Sequence, residues 1–386
     1  MKKQGVIFSD ISTPSVIIDL NKLETNIREL SQLAAGAGVK LKPHTKIHGC
    51  VEIAKMQIEA GACGIEVGAI EQAEAMADGG ISDIVVAHPF LGTHKLEILK
   101  KLLRKPKLTV TFVVDMIEQV ENISQIGQSV GRKVPVLIKI DTGVDRFGVL
   151  PGEPTLNFAK KIQTIPSVKL TGIYAHESGA NVAKGIDKAA FEVATMVSET
   201  ARMLRGEGFT LKTVSVGASP TFRSTCRYLK EGRFPEITEV HPGALVIGDI
   251  THVMDGSIMR ESCTLTVLTT IASTSHPNHV VIDAGFKTFG GESMIAYRDT
   301  PGFFWNGKPS WGSVEGRQDL WFGRVSAEVG VVYYMERANK NLKQGDRLRI
   351  VPNNATVVIN THDKIYGVRN GDIEKVLPVT GRGKGN

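Results

Sequence analysis

Between about residue 38 and residue 247, short apolar runs alternate with amphipathic stretches, and this regularity constrains the fold more than any other property of the chain. The runs are Val39–Pro43, Gly64–Val67, Asp83–Ala87, Leu108–Val114, Val134–Ile140, Leu170–Ala175, Thr213–Val216 and Ala244–Ile247. Most are short and almost wholly apolar, as parallel strands covered on both faces must be. Between them Val51–Ala60, Glu71–Ala77, Lys95–Leu103 and Lys188–Leu204 carry the helical period. Strands and helices in strict alternation predict a (β/α)8 barrel of the TIM type. An open doubly wound sheet is the alternative, but the alternation runs too long and too evenly for it.

After about residue 255 the helical period gives way to strands and turns. Strand signals fall on Thr264–Ile271, His279–Asp283, Gly323–Glu328, Arg347–Val351, Thr356–Ile359 and Lys364–Val368, and Asn370-Gly371 is a hairpin signal. The segment Thr13–Leu20 reads as a strand ahead of the barrel that joins this C-terminal β domain. The expected division is residues 1–27 for that strand, 28–255 for the barrel and 256–386 for the β domain. Asp299–Asp319, rich in Gly, Pro, Trp and Ser, reads as a long loop of the functional kind.

Composition excludes several classes. The 386 residues are 42% hydrophobic and 22% charged, as in a soluble globular protein. No apolar run reaches the ~18 residues of a membrane span, so no membrane partner is expected. Met1-Lys2-Lys3-Gln4-Gly5 is followed by no apolar secretory core. The net charge of +6 is spread along the chain, which suits a solvated surface better than a nucleic-acid groove. Cys50, Cys63, Cys226 and Cys263 show no paired spacing, so reduced thiols in a cytoplasm are expected.

In a (β/α)8 barrel the chemistry sits at the C-terminal ends of the strands. Strand one ends in Pro43-His44-Thr45-Lys46. An amine buried there loses its proton more readily and can form a Schiff base with an aldehyde, pyridoxal phosphate being the commonest partner; the bland alternative is a solvated end-cap. Strand alternation would put His44 and Lys46 on one side. Arg146, in the turn after strand five, fits a phenolate or carboxylate, or else pairs with Asp141 or Asp145. Tyr174-Ala175-His176-Glu177-Ser178 ends strand six, with His176 and Glu177 as proton carriers or as hydrogen-bonded structure. Ser215-Val216-Gly217-Ala218-Ser219-Pro220-Thr221 ends strand seven in a small, hydroxyl-rich loop opening a helix, suited to a phosphate or to ordinary capping. The Pro242-Gly243-Ala244 turn, where strand eight is introduced, would complete a phosphate cup.

Taken together these residues resemble the fold-type III pyridoxal-phosphate enzymes, within them the D-threonine aldolase and D-serine dehydratase group, relatives of alanine racemase. The resemblance covers nearly the whole chain. It runs through Thr13-Pro14, Asp19-Leu20, Pro43-His44-Thr45-Lys46 with His48 and Cys50, Asp141-Thr142-Gly143 with Arg146 and Gly148, Tyr174-Ala175-His176-Glu177, Ser215-Val216-Gly217 with Pro220-Thr221, Pro242-Gly243, and Val281–Gly285 with Lys287. It implies that Lys46 carries the cofactor. Arg146, Tyr174, Ser215, Gly217, Ala218, Ser219, Thr221, Gly243 and Ala244 complete the implied cofactor site. It also implies a homodimer acting on a small amino acid. From the residues themselves His44 and His176 stand beside Lys46 as candidate catalytic groups, with His241 a further candidate for handling a β-hydroxyl.

One departure bears on the reaction. Metal-dependent members of the group carry a Pro-Asn-His-x-Asp or Pro-Asn-His-x-Cys motif, and here the matching stretch is Pro352-Asn353-Asn354-Ala355-Thr356. Asn354 and Thr356 replace the two ligands and are poor ones. A Glu-His-Gly feature becomes Glu328-Val329-Gly330. His362 and Asp363, adjacent on an expected strand, would face opposite ways. No metal site is therefore expected. The reaction read from this is lysis of a D-3-hydroxy amino acid (aldol cleavage or dehydration), with a metal-free racemase or epimerase as runner-up and a non-catalytic cofactor carrier as a third reading.

Overall fold

In a computed structural model, residues 11–177, 185–291, 304–305 and 308–384 are described. Met1–Gly5, Ser178 and part of the Asp299–Asp319 stretch lie outside them. The chain divides into two compact units: one of residues up to Asn26, Ile47–Cys50 and Ala244–Arg382, the other of Ile27–Lys46, Val51–Gly243 and the last residues.

The second unit is the expected barrel. Its strands, in chain order, are Lys40–Leu41, Ile65–Val67, Asp83–Val86, Thr109–Val114, Val134–Ile140, Val168–Ala175, Thr213–Val216 and Glu239–Val240. They form one 8-stranded sheet in which each strand lies parallel to its neighbours. A parallel bridge between His44 and Glu66 brings strands one and two together and closes the ring. The expectation for strand eight is corrected: Glu239–Val240 is the strand, and Ala244–Val246 is a single 3-10 turn. The short run Glu-Val was masked by its charged residue, and that carboxylate is buried inside the barrel rather than in solvent.

Inward-facing residues of successive strands stack in layers. Val85, Ala87, Val113, Leu137 and Tyr174 make one such apolar cluster. Below it, toward the strand starts, Lys42 bonds Asp83 at 2.8 Å and lies 3.8 Å from Glu239. Gly172 lets strands six and seven approach, because a Cβ there would lie 1.7 Å from the Thr213 carbonyl oxygen.

The first unit is a mixed sheet. Its main path runs Leu320–Val325, Gly330–Tyr334, His279–Ile282, Leu265–Ser273, Ser15–Asp19, Lys364–Arg369, Asp372–Pro378. Ser15–Asp19 sits inside this sheet, antiparallel to Leu265–Ser273 and parallel to Lys364–Arg369, so the N-terminal strand joins the β domain as expected. Ile17 packs there with Ile11, Leu268 and Val368. The Asn370-Gly371 hairpin is present, with both residues at positive φ (52° and 92°), the signature of a type I′ turn.

Three expectations here are corrected. Gly323–Glu328 shifts to Leu320–Val325. Within the expected loop, Gly312–Val314 is a strand paired with Arg347–Pro352. Thr356–Ile359 is not a strand but part of a helix, Ala355–Asn360. Its β-branched residues favour strands locally, yet the helix is capped twice: the Asn354 side chain accepts the Val357 N–H (3.2 Å) and the buried Asp249 carboxylate accepts the Ala355 N–H (2.9 Å).

Gly172→Ala should destabilise the barrel by about 3 kcal/mol or more, because backbone must move to admit the methyl. Gly206→Ala, at a helical position with nothing within 4 Å of the added Cβ, should be neutral or stabilising. Urea midpoints of the two variants, compared with wild type, check both.

Candidate active site

The carboxyl ends of the barrel strands converge on a group of ionisable side chains held largely out of water. Lys46 lies in the 3-10 turn Thr45–Ile47 after strand one, so strand alternation does not relate it to His44. Instead the His44 imidazole bends toward it, and Nδ1 accepts the Lys46 backbone N–H at 3.2 Å. A neutral imidazole accepting at Nδ1 carries its proton on Nε2. That Nε2 is buried without a hydrogen bond, 3.5 Å from Glu66 Oε1.

Lys46 as a whole residue is exposed. Burial lowers its pKa from the ordinary lysine value; Glu66 opposes the shift and Arg146 adds to it. Arg146 lies 4.8 Å from the Phe147 ring centroid, and among the described residues it pairs with neither Asp141 nor Asp145. Asp141 instead accepts the N–H groups of Gly143 and Val144 and so shapes the turn.

His176 Nδ1 donates to the Gly217 carbonyl oxygen at 3.0 Å, which leaves Nε2 without a proton. Burial, then Lys139 and Lys46, push its pKa down to about 3, so at neutral pH the ring is a free base. Glu177 is buried and accepts the Gly217 N–H at 3.1 Å; desolvation raises its pKa to about 7. Tyr174 is buried, donates to Glu66 Oε1 at 2.7 Å and stacks on His241 with centroids 4.3 Å apart. The Ser215 hydroxyl is buried and hydrogen-bonded to His241 Nδ1 at 2.8 Å.

The strand-seven loop has the shape of a cradle. Gly217 adopts φ +133°, and a Cβ there would meet the His241 backbone nitrogen at 3.3 Å. Thr221 Oγ1 accepts the Ala218 N–H at 3.2 Å and sits at the N-cap of the helix Phe222–Lys230. Ser219 Oγ accepts the Gly243 N–H at 3.3 Å, which ties this loop to the strand-eight turn. Gly243 itself admits no side chain easily, since a Cβ would lie 3.0 Å from the His44 carbonyl oxygen. Ala244 opens the 3-10 turn Ala244–Val246.

Sequence reasoning missed Glu66, His88 and Lys139. Glu66 and Lys139 are lone charges inside apolar strands (Ile65-Glu66-Val67 and Val134–Ile140), and that was the available signal. Lys139 is buried 4.5 Å from the Tyr174 ring centroid, and burial lowers its pKa to about 8. His88 faces Phe147 at 5.9 Å, and burial lowers its pKa to about 4.

A barrel with a basic, desolvated mouth and a glycine-and-hydroxyl loop matches known proteins in sequence as well as in shape. The family described as alanine racemase, N-terminal domain, matches residues 18–250. The chain belongs to that family. A second family, described as a putative serine dehydratase domain, matches residues 264–368. A 3-hydroxy-D-aspartate aldolase of Paracoccus denitrificans (strain Pd 1222) is 31% identical over 99% of this chain and 95% of its own length. A D-threonine aldolase of Arthrobacter sp. is 28% identical over 97% of this chain and 93% of its own. The crystal structure of D-threonine aldolase from Filomicrobium marinum superposes with a TM-score of 0.86 at 24% identity, covering 99% of each chain.

Membership in this alanine racemase-like group makes the chain a fold-type III, pyridoxal-phosphate-dependent lyase. The residues present fit that cofactor. They offer an amine with a lowered pKa, a strand-seven loop whose Gly217 takes a positive φ, and a buried imidazole nitrogen, His44 Nε2, without a hydrogen bond.

In the C-terminal stretch, Asn354 is the helix cap described above, and Asn353 donates to the Ser310 carbonyl at 2.8 Å. His362 and Asp363 follow a helix rather than lying on a strand. His362 Nδ1 donates to the Val358 carbonyl at 2.8 Å, and Asp363 pairs with Arg382. Among the described residues no group of three or more His, Cys, Asp and Glu is arranged to hold a metal ion.

The buried imidazoles predict an acid sensitivity. His176 has a folded pKa near 3, below the reference 6.5, so the unfolded chain takes up the proton first as pH falls. Stability from its neutral burial is complete above about pH 6.5 and drains away between there and pH 3. His176→Asn should therefore lose less stability than wild type between pH 6.5 and 4, by about 1–3 kcal/mol, in urea midpoints measured across that range.

Proposed function

We propose that the protein cleaves a D-3-hydroxy amino acid, with Lys46 holding the aldehyde carbon of pyridoxal phosphate and His176 handling the β-hydroxyl proton. The observation that carries this reading is the pairing of an amine and an imidazole whose pKa values are both lowered by burial at one barrel mouth. The relatives that act on D-threonine and 3-hydroxy-D-aspartate support the substrate class.

Pyridoxal phosphate, when bound, draws electrons from the bonds at the α-carbon of an amino acid joined to it. The protein supplies the rest. The loop Gly217–Thr221 and the Gly243 turn would hold the phosphate, and Arg146 offers a fixed positive fork to the phenolate oxygen or the substrate carboxylate. His176 Nε2 would accept the hydroxyl proton as the Cα–Cβ bond breaks and the aldehyde leaves. Lys46 Nζ would return a proton to the α-carbon, and His44 would keep the Lys46 turn in place through the backbone hydrogen bond. Asn354, already used as a helix cap, supports a reaction that needs no metal at the usual position. The reading includes a homodimer in a reducing cytoplasm, with no nucleic-acid or membrane partner; among the described helices none is long and apolar enough to cross a membrane.

Borohydride reduction of the holoenzyme followed by peptide mapping should label Lys46, and Lys46→Ala should lose the cofactor absorption band. Label on another lysine would remove the centre of the proposal. D-threonine or D-phenylserine should release its aldehyde, and His176→Asn should lower kcat by about 10²–10⁴. Exchange of the α-hydrogen for deuterium without cleavage would make the protein a racemase or epimerase instead. EDTA should leave turnover largely unchanged; full loss with rescue by Mn²⁺ would reveal a metal requirement.

A further inference from the structure

Lys139 is a charge in the barrel mouth that the chemistry above leaves unused. It is the last residue but one of strand five, in register with Tyr174 on strand six. It follows Leu137 by two positions, so its side chain shares the inward side with that member of the interior cluster. The residue is 4% exposed. Its ammonium lies 4.5 Å from the Tyr174 ring centroid and 5.7 Å from that of Phe147. Among the described residues none gives that ammonium a hydrogen bond or an ion pair.

Two runs of contacts fix its place in the mouth. From the Lys46 turn, His44 accepts the Lys46 N–H, His44 Nε2 lies 3.5 Å from Glu66, and Glu66 bonds the Tyr174 hydroxyl at 2.7 Å. From the strand-seven loop, His176 bonds the Gly217 carbonyl, its ring lies 6.1 Å from that of His241, and His241 stacks on Tyr174 at 4.3 Å. Both runs end on Tyr174, the ring that carries the Lys139 ammonium on its face. This cation therefore sits with the groups assigned to the cofactor.

An ammonium gives up its hydration on burial, and two aromatic faces restore only part of it. The carboxyls that bear on it most do not complete the balance. Glu66 and Glu177 both lie beyond ion-pair distance, and burial raises them to about 8 and about 7. Near pH 7 Glu66 is mostly protonated and Glu177 about half so, while Lys139, lowered to about 8, keeps its charge. The mouth thus holds a buried cation without an anion in contact. An anion brought by a ligand would supply one. Phosphate has the Gly217–Thr221 loop, whereas a carboxylate is the anion that every amino acid brings, and it accepts well from an ammonium.

We propose that Lys139 is a substrate-binding residue whose ammonium, held against Tyr174 and Phe147, receives a carboxylate of the amino acid. The proposal deepens the reading above and rests on it for the ligand, an amino acid joined to pyridoxal phosphate. The α-carbon and an acidic side chain are the two sources of that carboxylate, and the test separates them.

Lys139→Met removes the charge and keeps an unbranched side chain that packs well against aromatic rings. D-Aspartate carries two carboxylates, D-2-aminobutyrate one and D-2-aminobutyramide none; lacking a β-hydroxyl, none of them can undergo aldol cleavage. Each is titrated into full-length holoenzyme at pH 7, with binding read from the shift of the cofactor absorption band. The variant should bind D-aspartate about 10–100-fold more weakly than wild type does, and the amide equally well. A like loss with D-2-aminobutyrate supports the proposal and assigns Lys139 to the α-carboxylate. Unchanged binding of D-2-aminobutyrate supports it too, and makes the substrate an acidic D-3-hydroxy amino acid. Unchanged affinity for both acids in folded Lys139→Met overturns the proposal, as does a change confined to the ligand-free band, which would make Lys139 a partner of the cofactor's phenolate. An equal loss with all three ligands assigns the effect to packing and overturns it, and so does a wild-type band that none of them shifts. If Lys139→Met does not fold, Lys139→Gln takes its place with the same outcomes. Aldehyde release from D-threonine by wild type is the separate check on the reaction: its absence, with the affinity differences intact, sinks the proposed cleavage and leaves the Lys139 site standing.

Discussion

The functional mouth of this barrel depends on the cost of holding ionisable groups away from water. Burial lowers the pKa of Lys46, Lys139, His44, His88, His176 and His241, and raises those of Glu66 and Glu177. In each case desolvation ranks ahead of any single neighbour. The hydrogen bonds then decide what each group can do. His176 is fixed with a free Nε2 because Gly217 takes its other nitrogen, and His44 is fixed the opposite way because Lys46 donates to its Nδ1. Two imidazoles in one mouth are thereby held as opposite tautomers.

Ring closure makes this cluster possible. The residues come from strands far apart in sequence, and they meet because a parallel barrel brings every strand's carboxyl end to one rim. The bridge between His44 and Glu66 joins the first two strands and is also part of the site. The glycines serve the same end: Gly172 lets two strands approach, and Gly217 and Gly243 let loop backbone pass close to the His241 backbone nitrogen and the His44 carbonyl oxygen.

The barrel was legible because its strands are apolar runs, and seven of the eight lie on or within two residues of the expected ranges. The eighth was not. Glu239–Val240 carries a buried carboxylate, and periodicity reads charge as solvent exposure. The same bias hid Glu66 and Lys139, each a single charge within an apolar strand. In the β unit, Thr356–Ile359 misled for a different reason: strand propensity lost to the caps supplied by Asn354 and by Asp249, which lies far away in the chain. The Asn370-Gly371 turn was legible because its requirement is local, two residues at positive φ.

The sequence by itself determined the alternation that makes a barrel, the hairpin turn, the place of the N-terminal strand and the lysine at the first strand's end. These rest on period, residue size and backbone freedom, which act over a few neighbours. Only the tertiary structure decided which charges face inward, which imidazole nitrogen carries a proton, and that Glu66 is buried against Tyr174, His44 and His241. Those properties depend on distance through space and on exclusion of water, and neither is set until the ring has closed.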